Sequence, residues 1–153
     1  MSVVTEERRL LLERLNDVIE HLLNIYKNIP DPDIMVYEVW TAKDVLSHLT
    51  FWHESFARNV SDLSMDIKPT PLKGKLSDLN QAGVDAMKSY SVGAVMERLE
   101  TSQRTIQDNI LNPKIVLIPY KKGSRDYTSE EHLEIVIDHI TQHLRDVVKV
   151  CHS

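Results

Sequence analysis

Leu11, Leu15, Val18, Leu22 and Ile25 follow one another at intervals of four, three, four and three residues, laying one apolar stripe along an α-helix from Thr5 to about Lys27. Leu12, Ile19, Leu23 and Tyr26 widen that stripe to the breadth a helix needs when it packs against several neighbours. The rhythm returns three times. Val45, Leu49, Trp52, Phe56 and Val60 carry it from Thr41 to about Leu63, and Val95, Leu99, Ser102, Ile106 and Leu111 carry it after Ser91. Leu133, Val136, Ile140, Leu144 and Val147 carry it from Thr128 to about Val150. Long amphipathic helices bury their stripes most simply against each other, so the expected fold is all-α, a four-helix bundle. The 4 Gly and 6 Pro in 153 residues leave little material for the turns of a β fold.

The ends of the segments are written in the local chemistry. Thr41 suits an N-cap with Asp44 at the third helical position, Trp40 and Val45 have the spacing of a hydrophobic staple, and Thr128 with Glu131 completes a capping box. Residues 28–39, with Pro30 and Pro32, read as a loop, and residues 65–76, with Pro69, Pro71 and Gly74, as a crossover too long for a tight turn. Residues 77–90 are a weaker helical piece, taken together with the segment after Ser91 as one bent or interrupted third helix. The run Ile115–Ile118 has the length of a short strand, but no partner strand is visible, so it reads as an extended cover over one end of the bundle. No internal repeat divides the chain, and residues 1–153 are expected to form one domain.

Composition narrows the function classes. A net charge of −5 without a basic stripe argues against nucleic-acid binding. No run approaches the roughly 18 apolar residues that span a bilayer, and the chain opens on polar residues, so no membrane association and a cytoplasmic location are expected. Cys151 is the lone cysteine and has no internal partner, which reads as a frayed terminal thiol.

The chemistry lies in the histidines. His139 and His143 stand at i and i+4 on the last helix, where two imidazoles can converge on one cation, and His48 borders the stripe of the second helix. If those helices are antiparallel neighbours, His48, seven residues after Thr41, and His143, seven before Val150, lie at one level, about 10 Å from the same bundle end. Three neutral nitrogens would leave further positions of the ion for water or substrate. The competing reading is that each ring is hydrogen-bonded beside an apolar stripe. His132 shares the face of His139 but sits toward the other end of the helix, while His53, one residue after Trp52, reads as solvated or as a pocket rim. Glu54, Asp44 and Asp138 read as surface charges, with Asp44 also a candidate to orient His48. Trp52, Phe56 and Tyr120 are candidate pocket walls.

Trp40-Thr41-Ala42-Lys43-Asp44-Val45-Leu46-Ser47-His48-Leu49 resembles the start of the second helix in DinB-like (DinB/YfiT) proteins, and Asp138-His139-Ile140-Thr141-Gln142-His143 resembles the HxxxH of their last helix. The likeness spans essentially the whole chain. It implies an up-down-down-up four-helix bundle with a long crossover between the second and third helices, and a site for Zn²⁺, Ni²⁺, Mn²⁺ or Fe²⁺ on His48, His139 and His143. Characterised members include metal-dependent thiol transferases, a mycothiol-dependent isomerase and the ClbS/DfsB-type self-protection proteins, which this chain resembles in length and in Tyr127-Thr128. Two functions follow as expectations: a metal-dependent hydrolase or thiol/small-molecule transferase, or a non-enzymatic protein that binds a small molecule or toxin. A homodimer through the first helix is compatible with both.

Overall fold

Thr5, Thr41, Ser91 and Thr128 each accept a hydrogen bond from the amide three residues ahead, on Arg8, Asp44, Ala94 and Glu131, at 2.9–3.1 Å. Each therefore stops the chain from fraying at the start of a helix. The computed structural model describes residues 4–152. In chain order these form α1 (Glu6–Lys27), α2 (Ala42–Ser64), α3 (Leu76–Ala86), α4 (Val92–Asn109), β1 (Leu117–Ile118), β2 (Tyr127–Thr128) and α5 (Ser129–Cys151). The fold is all-α apart from one small antiparallel pair, in which Leu117 faces Thr128 and Ile118 faces Tyr127.

Two expectations change here. The third helix is two separate helices, because α3 ends at Ala86 and Ser91 caps α4 independently. The run around Ile118 does have a partner strand, the Tyr127-Thr128 dipeptide that leads into α5. The crossover is fastened to the same region, Lys122 donating its backbone N–H to the carbonyl of Leu72 at 2.8 Å.

The apolar stripes meet in one core. Leu15, Leu22, Leu46, Leu99 and Leu133 are fully buried, and each such side chain contributes about 1.5–3 kcal/mol relative to an exposed one. Helix α2 packs chiefly on α4 and α1 on α5, whereas α2 and α5 meet mainly through long side chains such as His48 with His139 and Phe56 with His132. Gly83 lets α3 approach α2 closely, since a Cβ there would lie 2.6 Å from the Phe51 ring. Arg8, itself buried, fixes α1 to the first turn of α5 by donating from Nε to Glu130 at 2.9 Å. Cys151 is the last residue of α5 and packs partly against the core, so it is not frayed. No helix among the described residues is long and apolar enough to cross a membrane.

Candidate metal centre

The site begins with the N-terminus of α2. The first amides of a helix lack intrahelical partners, and here the loop before α2 supplies them. Ala42 donates to the carbonyl of Ile34 at 2.9 Å, Lys43 to that of Pro32 at 2.9 Å, and Asp44 to the Thr41 hydroxyl at 3.1 Å. Val36 and Tyr37 in turn donate to the carbonyl of Trp40, at 3.0 and 3.1 Å. The loop is thus folded back on the helix it introduces, and this holds Tyr37 against α5.

There the Tyr37 hydroxyl donates to Oδ2 of Asp146 at 2.5 Å and lies 2.7 Å from Nδ1 of His143. A hydroxyl with its hydrogen committed to a carboxylate can only accept from the ring, so Nδ1 of His143 carries the proton and Nε2 keeps its lone pair. That Nε2 is 3.0 Å from Nε2 of His139, which is 3.2 Å from Nε2 of His48. Among the described residues these three form the group of possible ligand atoms that could hold a metal ion, all within 4.8 Å of one another.

The arrangement fits a cation better than it fits protons alone. With protons alone, His139 either shares one hydrogen between two acceptors or accepts from His48 and faces the His143 lone pair unbridged, whereas an ion gives every lone pair a partner. Imidazole nitrogens about 2.0–2.1 Å from zinc stand about 2.8–3.4 Å apart between octahedral and tetrahedral angles, a range that spans the two short separations. Protonation agrees. Burial, reinforced by the neighbouring rings His139 and His143, brings His48 down to about 3. Burial and then His143 bring His139 to about 4, and burial lowers His143 against the opposing pull of Asp146. All three are therefore neutral at pH 7, the form that binds metal.

His48 is held differently from His143. Its Nδ1 is buried without a hydrogen-bond partner, and its ring instead packs on Trp40, centroids 4.9 Å apart. Asp44 does not orient it. The Asp44 carboxylate is mostly buried, caps its own helix by accepting from the Thr41 amide at 3.0 Å and pairs with Lys88 at 3.2 Å, so it is neither a free surface charge nor a support for His48. Glu54 is likewise engaged, in a two-pronged pair with Arg98 at 2.8 and 2.9 Å, while Asp138 is exposed.

The rings open onto a cavity of about 480 Å³ between α2 and α5. Trp52, Phe56 and Tyr120 line it as anticipated, Trp52 and Tyr120 stacked at 5.0 Å and 18°. Trp52 is fixed by donating from Nε1 to Asn80 of α3 at 2.7 Å. His53 also lines the cavity, in line with the rim reading, but it is not solvated. It is 2% exposed, its Nε2 lies 2.7 Å from Oε1 of Gln103, and burial, outweighing that bond, brings it to about 4. The sequence signal was the spacing Leu49, His53, Phe56, Val60, which centres the buried face of α2 on His53 and leaves Trp52 at its edge. Tyr37 and Asp146 were missed altogether; Asp146, three residues after His143 on α5, was the legible half of that pair.

No family model matches the chain, and no curated protein does. Solved structures do match. The mycothiol-dependent maleylpyruvate isomerase superposes with a TM-score of 0.73 at 10% identity, over 92% of this chain and 60% of that one. A histidine-to-alanine variant of that enzyme gives 0.72 at 11% identity, with 92% and 60% covered. This chain thus spans 60% of the length of the structures it matches. Identity so low speaks for the fold alone, and on that ground the chain has the DinB/YfiT-like fold.

Proposed function

We propose that His48, His139 and His143 hold one divalent cation, Zn²⁺, Ni²⁺, Mn²⁺ or Fe²⁺, and that the protein is a metal-dependent hydrolase or thiol/small-molecule transferase. The observation that carries this is the convergence of three neutral Nε2 atoms at the edge of an aromatic cavity. A bound cation would supply Lewis acidity, lowering the pKa of a coordinated water or thiol. The chain's own residues do the rest. Tyr37, backed by Asp146, fixes the tautomer and angle of His143; Trp40 braces His48; and Trp52 and Tyr120 shield the substrate from bulk water. That solved neighbours of this fold are described as mycothiol-dependent supports a thiol as co-substrate. On the same reading α1, α2, α4 and α5 are an up-down-down-up bundle, residues 65–91 with α3 its crossover, and residues 1–153 one cytoplasmic domain.

Metal analysis tests the proposal. Purified protein dialysed against zinc should retain about one ion per chain, and His48→Ala and His139→Ala should each retain almost none. Unchanged stoichiometry in both variants removes the proposed ligands. The cavity itself favours a second reading, a binding protein of the ClbS/DfsB type that captures a small molecule without turnover. That reading requires ligand-induced thermal stabilisation to persist in the same two variants.

A further inference from the structure

Four cavity-lining residues of α2, His48, Trp52, Ser55 and Asn59, recur at intervals of four, three and four, a single stripe that leads away from the metal centre. Its far end is polar, where a wall buried this deeply is ordinarily apolar. Ser55 is 3% exposed and its Oγ makes no hydrogen bond; Asn59 is 2% exposed and uses only its Nδ2, donating to the carbonyl of Pro119 at 3.2 Å. A carbonyl can only accept, so the amide nitrogen must face Pro119, and Oδ1 is left pointing elsewhere without a donor. Unlike Nδ1 of His48, which is sealed off, neither oxygen is closed in, and the cavity is the space onto which both residues open.

Ser55 and Asn59 stand four apart on one helix face, so their Cβ atoms are about 5–6 Å apart and one ligand atom can touch both side chains. Together they offer a hydroxyl, which donates or accepts, beside an oxygen that only accepts. A ligand hydroxyl matches them, donating to Oδ1 of Asn59 and accepting from Ser55. An ether, a halide or a carbonyl would set its lone pairs against Oδ1. A carboxylate would do so with a full charge, and among the described residues no Lys or Arg lines this cavity to compensate it. The stacked rings of Trp52 and Tyr120 make the cavity wall flat and aromatic. Ser55 follows His48 by seven residues, about 10 Å along α2 at 1.5 Å rise per residue.

We propose that Ser55 and Asn59 form a subsite for one uncharged hydroxyl group, the phenol of an elongated aromatic ligand whose opposite end reaches the three-histidine centre. This rests on the reading of the cavity as the substrate site, and it names the substrate class: neutral hydroxyaryl compounds in preference to aryl compounds without a donor.

The test uses metal-free full-length protein at pH 7, titrated calorimetrically with para-phenylphenol and with para-fluorobiphenyl, which has nearly the same shape and no hydrogen to donate. The phenol should bind about tenfold more tightly than the fluoro compound and should move the side-chain amide resonances of Asn59 in ¹⁵N spectra. Ser55→Ala, a change that a helix accepts readily, should lose most of that preference while its affinity for para-fluorobiphenyl stays the same. Equal or tighter binding of the fluoro compound, binding of neither probe, an unmoved Asn59 amide, or a folded Ser55→Ala with the parent's full preference would overturn the proposal. Because the assay contains no metal, its failure leaves zinc binding by the triad standing. Conversely, loss of the metal reading leaves a Ser55-dependent hydroxyl site intact.

Discussion

The hydroxyl oxygen of Tyr37 lies 2.7 Å from Nδ1 of His143, 106 residues further along the chain. Since the same hydroxyl donates to Asp146, the pair sets His143 in the tautomer whose Nε2 faces His139. The loop that carries Tyr37 is itself held by the carbonyls and amides that complete the N-terminus of α2. One local need, satisfying the first turn of a helix, therefore positions a group that orients a ring on another helix.

Tyr37→Phe removes the acceptor for that ring proton and leaves the ring's packing in place. We expect zinc affinity to fall about 10- to 100-fold with stoichiometry and melting temperature little changed. Competition titration against a chromophoric chelator measures it, and an affinity equal to the parent's would show that Tyr37 does not support the site.

Acid should destabilise the metal-free protein through its buried neutral rings. His53 and His132 titrate near 4 in the folded chain, below the ordinary value of 6.5. A depressed folded pKa means that the unfolded chain binds more protons between these values. Their contribution is therefore fully present above about pH 6.5 and is lost as pH falls toward about 4. Urea unfolding across that range should show stability falling with pH, and the slope should be shallower in His132→Phe. A flat profile would mean that these rings are not held neutral.

Gly83→Ala should destabilise by about 1–3 kcal/mol, because the added Cβ falls 2.6 Å from the Phe51 ring in the α2–α3 contact. Helix α3 also supplies Asn80, the acceptor for Trp52, so tryptophan emission should shift with the loss of stability. Unchanged unfolding in urea would place α3 further from α2.

What the sequence disclosed follows from which forces are local. The Thr41–Asp44 and Thr128–Glu131 caps depend on residues three apart, and both helices start where those pairs require. The i, i+4 spacing of His139 and His143 is equally local. The Leu117–Ile118 strand escaped because two residues carry no periodicity, and its partner Tyr127-Thr128 is recognisable only once the chain has returned to it. His53 lines the cavity but is buried instead of solvated, because Gln103 on α4 satisfies the imidazole and lets it go inside, and a partner on another helix leaves no mark in local spacing. Tyr37 lies in an aperiodic loop, so nothing within its neighbourhood points to His143.

X-ray absorption at the zinc edge of the loaded protein tests the central claim most directly. The account predicts three imidazole scatterers at about 2.0 Å. A spectrum with no more than one imidazole would contradict it.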